Sequence, residues 1–236
     1  MKPPSGYLLV DKPLEWTSFD VVNKLRRTIQ NDPELNITAK KRFPVGHAGT
    51  LDPLATGLLI IMVGEYTKKA AEFTKMDKSY AVEAVLGQTS STGDEEGEKT
   101  EISKLVPAKS EIDAVLKRFI GQIEQLPPQY SAIKVNGQRA YDLARAGKTA
   151  ELKPRPVKIY VITDVKYDYP KLYFTVKVSS GTYIRSLVSD IGEALKTGAY
   201  TRNLRRLTIG EYSVEQAQAV DKLDAAGITQ SLRQVS

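Results

Sequence analysis

Gly46-His47-Ala48-Gly49-Thr50-Leu51-Asp52-Pro53-Leu54-Ala55-Thr56-Gly57 runs directly into Leu58-Leu59-Ile60-Ile61-Met62-Val63. The contrast between the two stretches sets the reading of the fold. Glycine, threonine and proline punctuate the first, so Val45 to Gly57 is expected to be irregular. The second is a short, unbroken apolar run, the pattern of a buried strand. Upstream, Ser18 to Ile29 places Phe19, Val22, Leu25 and Ile29 on one helical face, with Ser18 as N-cap. Gln30 to Arg42 is polar, contains Pro33 and reads as a loop. Downstream, Thr67 to Phe73 continues as a short helix. Ser79 to Gly87 alternates as a strand, with Tyr80, Val82, Ala84 and Leu86 on one face.

Gln88 to Glu101 reads as a solvated loop carrying Asp94, Glu95, Glu96, Glu98 and Glu101. Ser110 is placed as the cap of a helix bearing Ile112, Val115, Leu116, Phe119 and Ile120, closed by Gly121. Glu124 to Lys158 opens on Pro127-Pro128, ends near Pro154 and Pro156, and reads as an insertion between better-defined parts. Leu172 to Val178 alternates as a strand. Thr182 to Leu195 sets Ile184, Leu187, Val188, Ile191 and Leu195 on one helical face. Helices and strands mix without regular alternation, which favours an α+β or mixed-sheet architecture over a doubly wound one.

Composition narrows the chemistry. The 236 residues carry a net charge of +6 and a pI near 9.2, a balance that suits a polyanionic partner such as nucleic acid. There is no cysteine and one histidine, His47. Disulfides, thiolate nucleophiles and metal sites built on several Cys or His side chains are therefore excluded within the chain. The apolar run Tyr7 to Val10 is too short for a secretory signal, and Leu58 to Val63 cannot span a bilayer. A cytoplasmic protein with no membrane partner is expected. No dinucleotide or P-loop glycine fingerprint is present.

The 46–57 stretch holds one acid, Asp52, among residues that fix backbone turns. On spacing alone, it is either a surface turn or a loop presenting a carboxylate in a fixed pose. Its pattern, Gly-His-Ala-Gly-Thr-Leu-Asp-Pro-Leu-Ala-Thr-Gly, resembles the signature of the TruB-type pseudouridine synthases. Four further stretches resemble the same family in order. They are Gly6 to Pro13 with Thr17-Ser18; Lys78-Ser79-Tyr80; Gln125 to Tyr141; and Gly181 to Leu187 with Leu204-Arg205-Arg206. The resemblance covers nearly the whole chain.

The resemblance implies an α+β catalytic domain with a mixed, mostly antiparallel sheet flanked by helices and an RNA-clasping insertion at about 124–158. It implies isomerisation of uridine to pseudouridine at position 55 in the T-loop of transfer RNA, with Asp52 as nucleophile. The chemistry agrees: moving ribose C1′ from uracil N1 to C5 breaks a glycosidic bond and develops oxocarbenium character, which a carboxylate stabilises. The rearrangement is redox-neutral, so no cofactor is expected.

Residue roles follow by the same resemblance. Arg185 keeps the Asp52 carboxylate charged and aimed, although periodicity alone would make it a helix-surface charge. Tyr80 stacks on the target base and is a candidate to remove the C5 proton. Tyr183 and Leu204 line the uracil pocket, and His47 assists the flipped nucleotide. Read only as strand or core residues, the two tyrosines and the leucine would simply pack. Leu51, Leu54 and Leu58 suit a site that must exclude water.

The target base must be extruded from its loop, and RNA contacts must offset that cost. From Lys134 to Lys158 the chain carries +5 net charge, with Lys134, Arg139, Arg145 and Lys148 as candidate RNA contacts and Tyr130 and Tyr141 in or beside the stretch. Two residues depart from the family pattern: Glu15 where glycine is usual, and Ser91 where many members carry aspartate. The chain is expected to be a single catalytic domain over 1–236 without a complete C-terminal PUA-type domain. No obligate protein partner is expected. An RNA-binding protein or tRNA-folding chaperone with secondary catalysis is the alternative. A uracil C5 methyltransferase would need the cysteine that is missing.

Overall fold

In the computed structural model the described residues are 3–33, 35, 42–131, 133–135 and 137–234, with backbone alone for Lys134, Arg139 and Arg145. Along the chain they form β1 (Gly6–Lys12), α1 (Ser18–Gln30), β2 (Val45–His47), β3 (Ala55–Val63), a 3-10 turn (Gly64–Lys69), α2 (Ala70–Thr74), β4 (Lys78–Leu86), β5 (Gln88–Ser90), β6 (Lys99–Glu101), α3 (Lys109–Arg118) and β7 (Gly121–Gln125). There follow β8 (Lys134–Val135), β9 (Gln138–Arg139), α4 (Ala140–Arg145), β10 (Arg155–Asp168), β11 (Lys171–Val178), α5 (Ile184–Ala194), β12 (Ala199–Ile209), β13 (Tyr212–Ser213), β14 (Gln218–Ala219) and α6 (Ala225–Ser231). The fold is mixed, with mostly antiparallel strand pairing and flanking helices, as the sequence reading expects.

Two compact units emerge. One comprises Met1–Tyr80 with Arg205–Ser236, the other Ala81–Leu204. In the first, β1 lies between β3, antiparallel, and β14, parallel, and β2 pairs with β3. Successive β3 side chains point to opposite faces, and both faces are buried. Leu59, Ile61 and Val63 join Val21, Val22, Leu25 and Ile29 of α1 and Ile228 of α6. Leu58, Ile60 and Met62 join Tyr7, Phe73 and Tyr212. This double burial explains the unbroken apolar run.

In the second unit β7, β10 and β11 pair antiparallel, β5 pairs with β6, and β8 pairs with β9. The inward face of β4 begins with Tyr80 in the first unit and continues with Val82, Ala84 and Leu86, all buried as the alternation predicts. The insertion is entered from β7 and left into β10, so its two ends are paired strands.

Several local expectations need correction. Thr17, not Ser18, caps α1: its hydroxyl accepts from Asp20 N at 3.0 Å, and Asp20 accepts in return from Thr17 N. Phe19 is 53% exposed and off the core face. Val45 to Gly57 is not wholly irregular, since β2 and the start of β3 fall within it. Gln88 to Glu101 is a hairpin, because backbone pairing closes β5 on β6. Ala108, not Ser110, precedes α3, with Glu111 accepting from its N–H at 2.7 Å. Of the loop expected over 30–42, residues 34 and 36–41 lie outside the described residues.

Candidate active site

The chain enters the Asp52 turn from β2 and leaves it into β3, so the turn is tethered at both ends by sheet pairing. Asp52 O accepts from Ala55 N at 3.0 Å and closes the turn. Ser18 Oγ donates to Leu51 O at 3.1 Å and accepts from Leu51 N at 2.8 Å, which explains its burial at the start of α1. Pro53 O accepts from Glu15 N at 2.9 Å and from Lys12 Nζ at 3.1 Å. Both residues flanking Asp52 are thus held by partners distant in sequence. Leu51 and Leu58 are buried and Leu54 is half-buried.

Two buried cations organise this turn. Lys12 is fully buried and also donates to Pro13 O at 2.9 Å and Trp16 O at 2.5 Å. Burial pulls its pKa down to about 8, opposed by the Asp52 carboxylate and reinforced by the Arg206 charge. Arg206, 1% exposed, donates from Nε to Leu58 O at 2.7 Å, from Nη1 to Thr50 O at 3.3 Å and from Nη2 to Gly49 O at 3.0 Å. A Cβ on Gly57 would lie 2.3 Å from Arg206 O, and Gly57 has φ +102°, so only glycine suits that crossing. Arg205 forms a bidentate pair with Asp11 at 2.7 and 3.1 Å and reaches Thr56 Oγ1 at 3.4 Å.

Glu15 keeps the glycine conformation, with φ +67°. Ser91 fills its position by bonding Glu98 across the β5–β6 hairpin, through both backbone and hydroxyl.

Of the residues expected in the site, His47, Asp52 and Tyr80 lie in the first unit. His47 ends β2, half-buried, with Nδ1 buried and lacking a hydrogen-bond partner. Burial, and then the Arg206 charge, lower its pKa, so the ring is neutral at pH 7. Tyr80 is buried in β4.

Tyr183, Arg185 and Leu204 lie in the second unit. Tyr183 is the N-cap of α5, its backbone fixed by Gln125 at 2.8 and 3.0 Å. Leu204 is half-buried in β12. Arg185 is buried rather than a surface charge. It donates to Thr92 O at 2.9 Å and Tyr130 O at 2.7 Å, and lies 3.4 Å from Asp94. Asp94 is therefore a half-buried counter-ion and not part of a solvated acidic run. Tyr130 and Tyr141 meet edge-on, with ring centroids 6.4 Å apart. Lys134, Arg139 and Arg145 fall in β8, β9 and α4, and Lys148 is exposed just beyond α4.

The sequence reading gives Lys12, Ser18, Glu15, Arg206 and Asp94 no role in the site. Four of them do sit inside or beside the motif stretches, which was the available signal. Among the described residues, no group of three or more His, Cys, Asp or Glu side chains could hold a metal ion. Nor is any helix among them long and apolar enough to cross a membrane.

The model for the TruB family pseudouridylate synthase N-terminal domain matches residues 36–184. The chain belongs to the TruB family. A second model, the tRNA pseudouridylate synthase B C-terminal domain, matches residues 185–235. This TruB-family chain is 44% identical over 223 residues to the tRNA pseudouridine synthase B of Cupriavidus metallidurans, covering 93% of this chain and 67% of that one. It is 43% identical over 215 residues to the enzyme of the same name from Flavobacterium johnsoniae, covering 89% and 90%. Among solved structures it is similar to a chain of a Cbf5-Nop10-Gar1 complex, with TM-score 0.66 and 28% identity over 92% of this chain and 53% of that one. It is also similar to a chain of an H/ACA RNP bound to a substrate RNA containing 2′-deoxyuridine, with TM-score 0.65 and 26% identity over 92% and 52%. The chain thus spans about half the length of these solved chains.

Proposed function

We propose that this chain isomerises uridine to pseudouridine at position 55 in the T-loop of transfer RNA, with Asp52 as the nucleophile. The observation that carries the reading is the immobilised Asp52 turn. Its neighbours are held by Lys12, Ser18, Glu15 and Arg206, so a carboxylate is presented in one pose beside a buried cation. A surface turn with an ordinary solvated aspartate has no need of two buried cations. The relatives named tRNA pseudouridine synthase B support transfer RNA as the substrate class.

In the reaction the N1–C1′ bond breaks and the Asp52 carboxylate takes up or stabilises the C1′ centre. The freed uracil turns, C5 bonds to C1′, the C5 proton leaves and N1 gains one. Tyr80 is the candidate base for that proton and stacks on the ring. Neutral His47 does not repel the Arg206 charge, and it assists the flipped nucleotide. Tyr183, Arg185 and Leu204 keep the roles implied by the family resemblance. The cationic insertion, with Lys134, Arg139, Arg145 and Lys148, grips the T-arm stem-loop.

Release of tritium from RNA labelled at uridine C5 tests the chemistry, because that C–H bond must break. The wild-type protein should release label stoichiometrically with product. Release without pseudouridine, or product without release, would contradict the proposed path.

A further inference from the structure

Among the described residues of the first unit, every exposed large hydrophobic side chain falls within six positions: Leu14 at 51% exposure, Trp16 at 36% and Phe19 at 53%. The core face of α1 is formed by Val21, Val22, Leu25 and Ile29. The Thr17–Asp20 capping box does not call for an aromatic between its members. Two aromatics and a leucine left in solvent together, rather than scattered singly, mark a surface that meets something else.

That surface is bonded to the Asp52 turn at three points. The carbonyl of Trp16 and that of Pro53 share the Lys12 ammonium, Glu15 N donates to Pro53 O, and Ser18 Oγ exchanges hydrogen bonds with Leu51. Whatever occupies the turn therefore has this shelf as its immediate neighbour. The shelf also carries a cation. The Arg42 guanidinium lies over the Phe19 ring, 5.5 Å from its centroid, and is aimed by a 2.6 Å hydrogen bond to Asn23 Oδ1. Exposed Lys24 and Arg27 follow on the same helix. Aromatic faces with a stacked guanidinium are the side-chain set that binds unpaired nucleotides, through base stacking and phosphate contact.

We propose that Leu14, Trp16 and Phe19, with Arg42, form a stacking shelf for unpaired nucleotides flanking the target uridine. The inference rests on the reading above that the substrate is a structured RNA. The shelf holds the loop opened around the extruded base and contributes affinity, while the bond rearrangement remains with the Asp52 turn.

Trp16 is the sole tryptophan, so its emission reports on the shelf directly. An unmodified T-arm stem-loop transcript is titrated into Asp52→Asn protein, with binding followed separately by filter retention. Emission should be quenched over the same concentration range as retention, and a blunt RNA duplex should quench little. In the wild-type background, Trp16→Ala and Phe19→Ala should each raise KM roughly 5- to 100-fold, the effect of losing one stacked base. The change in kcat should be much smaller and thermal unfolding unaltered. Trp16→Phe should restore most of the KM. Retention with unchanged emission, or alanine variants with wild-type KM, would overturn the shelf while leaving the proposed function intact. Absence of both retention and turnover in the wild-type protein would overturn the functional reading, and the shelf with it.

Discussion

Replacing Arg206 with methionine should destabilise the protein by about 3–5 kcal/mol. The side chain is 1% exposed and its guanidinium is bonded to three backbone carbonyls, at 2.7, 3.0 and 3.3 Å. Methionine fills much the same stem volume, so the cavity term is small. What remains is the loss of two short charge-assisted hydrogen bonds and one long one, each worth roughly 1.5–3 kcal/mol net at best and not additive. The Leu58 carbonyl loses its donor in the buried interior, whereas those of half-buried Gly49 and exposed Thr50 can turn to water in part. For a chain of this size the Tm should fall by roughly 6–20 °C. Arg206→Lys should fall between the two, since one ammonium cannot meet the guanidinium's fork of donors. Thermal and urea unfolding followed by circular dichroism give the shift. A fall in Tm below about 2 °C would correspond to less than 1 kcal/mol. It would mean that the guanidinium does not hold the turn, and the explanation of how Asp52 is fixed would fail.

Glu15 sits at φ +67°, a conformation glycine adopts without penalty. Glu15→Gly should leave thermal stability unchanged or raise it by up to about 1 kcal/mol, whereas Glu15→Val should lower it by at least that much. Burial pulls both Lys12 and Lys78 down to about 8 from 10.5, so the folded state binds fewer protons than the unfolded chain between those values. Their contribution to stability is full above 10.5 and shrinks as pH falls toward 8. Turnover should therefore decline above about pH 8, as Lys12 loses the charge beside Asp52, without a matching loss of stability from these lysines. A rate profile flat to pH 10, measured beside urea unfolding, would remove the Lys12 charge from the account. Neutralising Arg139, Arg145 and Lys148 together should weaken binding to transfer RNA and reduce the log–log salt slope by roughly 0.7–0.9 per lost phosphate contact. An unchanged slope would return these charges to solvent.

Where burial follows simple periodicity, the sequence was readable. The apolar run of β3, the alternation of β4 from Tyr80 to Leu86 and the inner face of α5 all lie where their patterns place them. Phe19 departs from its pattern. With a turn of roughly 100° per residue, the α1 stripe is centred between Val21, Val22, Leu25 and Ile29, and Phe19 falls on its edge while Ser18 falls within it. The strand character of 199–209 is masked by Arg202, Arg205 and Arg206, of which Arg206 is buried, a placement tolerable only with partners far away in sequence. The same blindness to distant partners concealed Asp94, which reads as one acid among five until Arg185 is placed beside it. The Asp52 motif was legible as a motif. The means of holding it rigid was not, since Lys12, Ser18 and Arg206 act through backbone atoms that no pattern of side chains records.

Pseudouridine mapping of unmodified transfer RNA after incubation with wild-type and Asp52→Asn protein, at matched RNA occupancy, tests both the nucleophile and the target position most directly. A single new pseudouridine is expected, at position 55 of the T-loop, with the wild-type protein and none with the variant, although the variant still binds. Conversion by Asp52→Asn at an appreciable rate would remove Asp52 as the nucleophile, and modification elsewhere with position 55 untouched would contradict the assigned substrate.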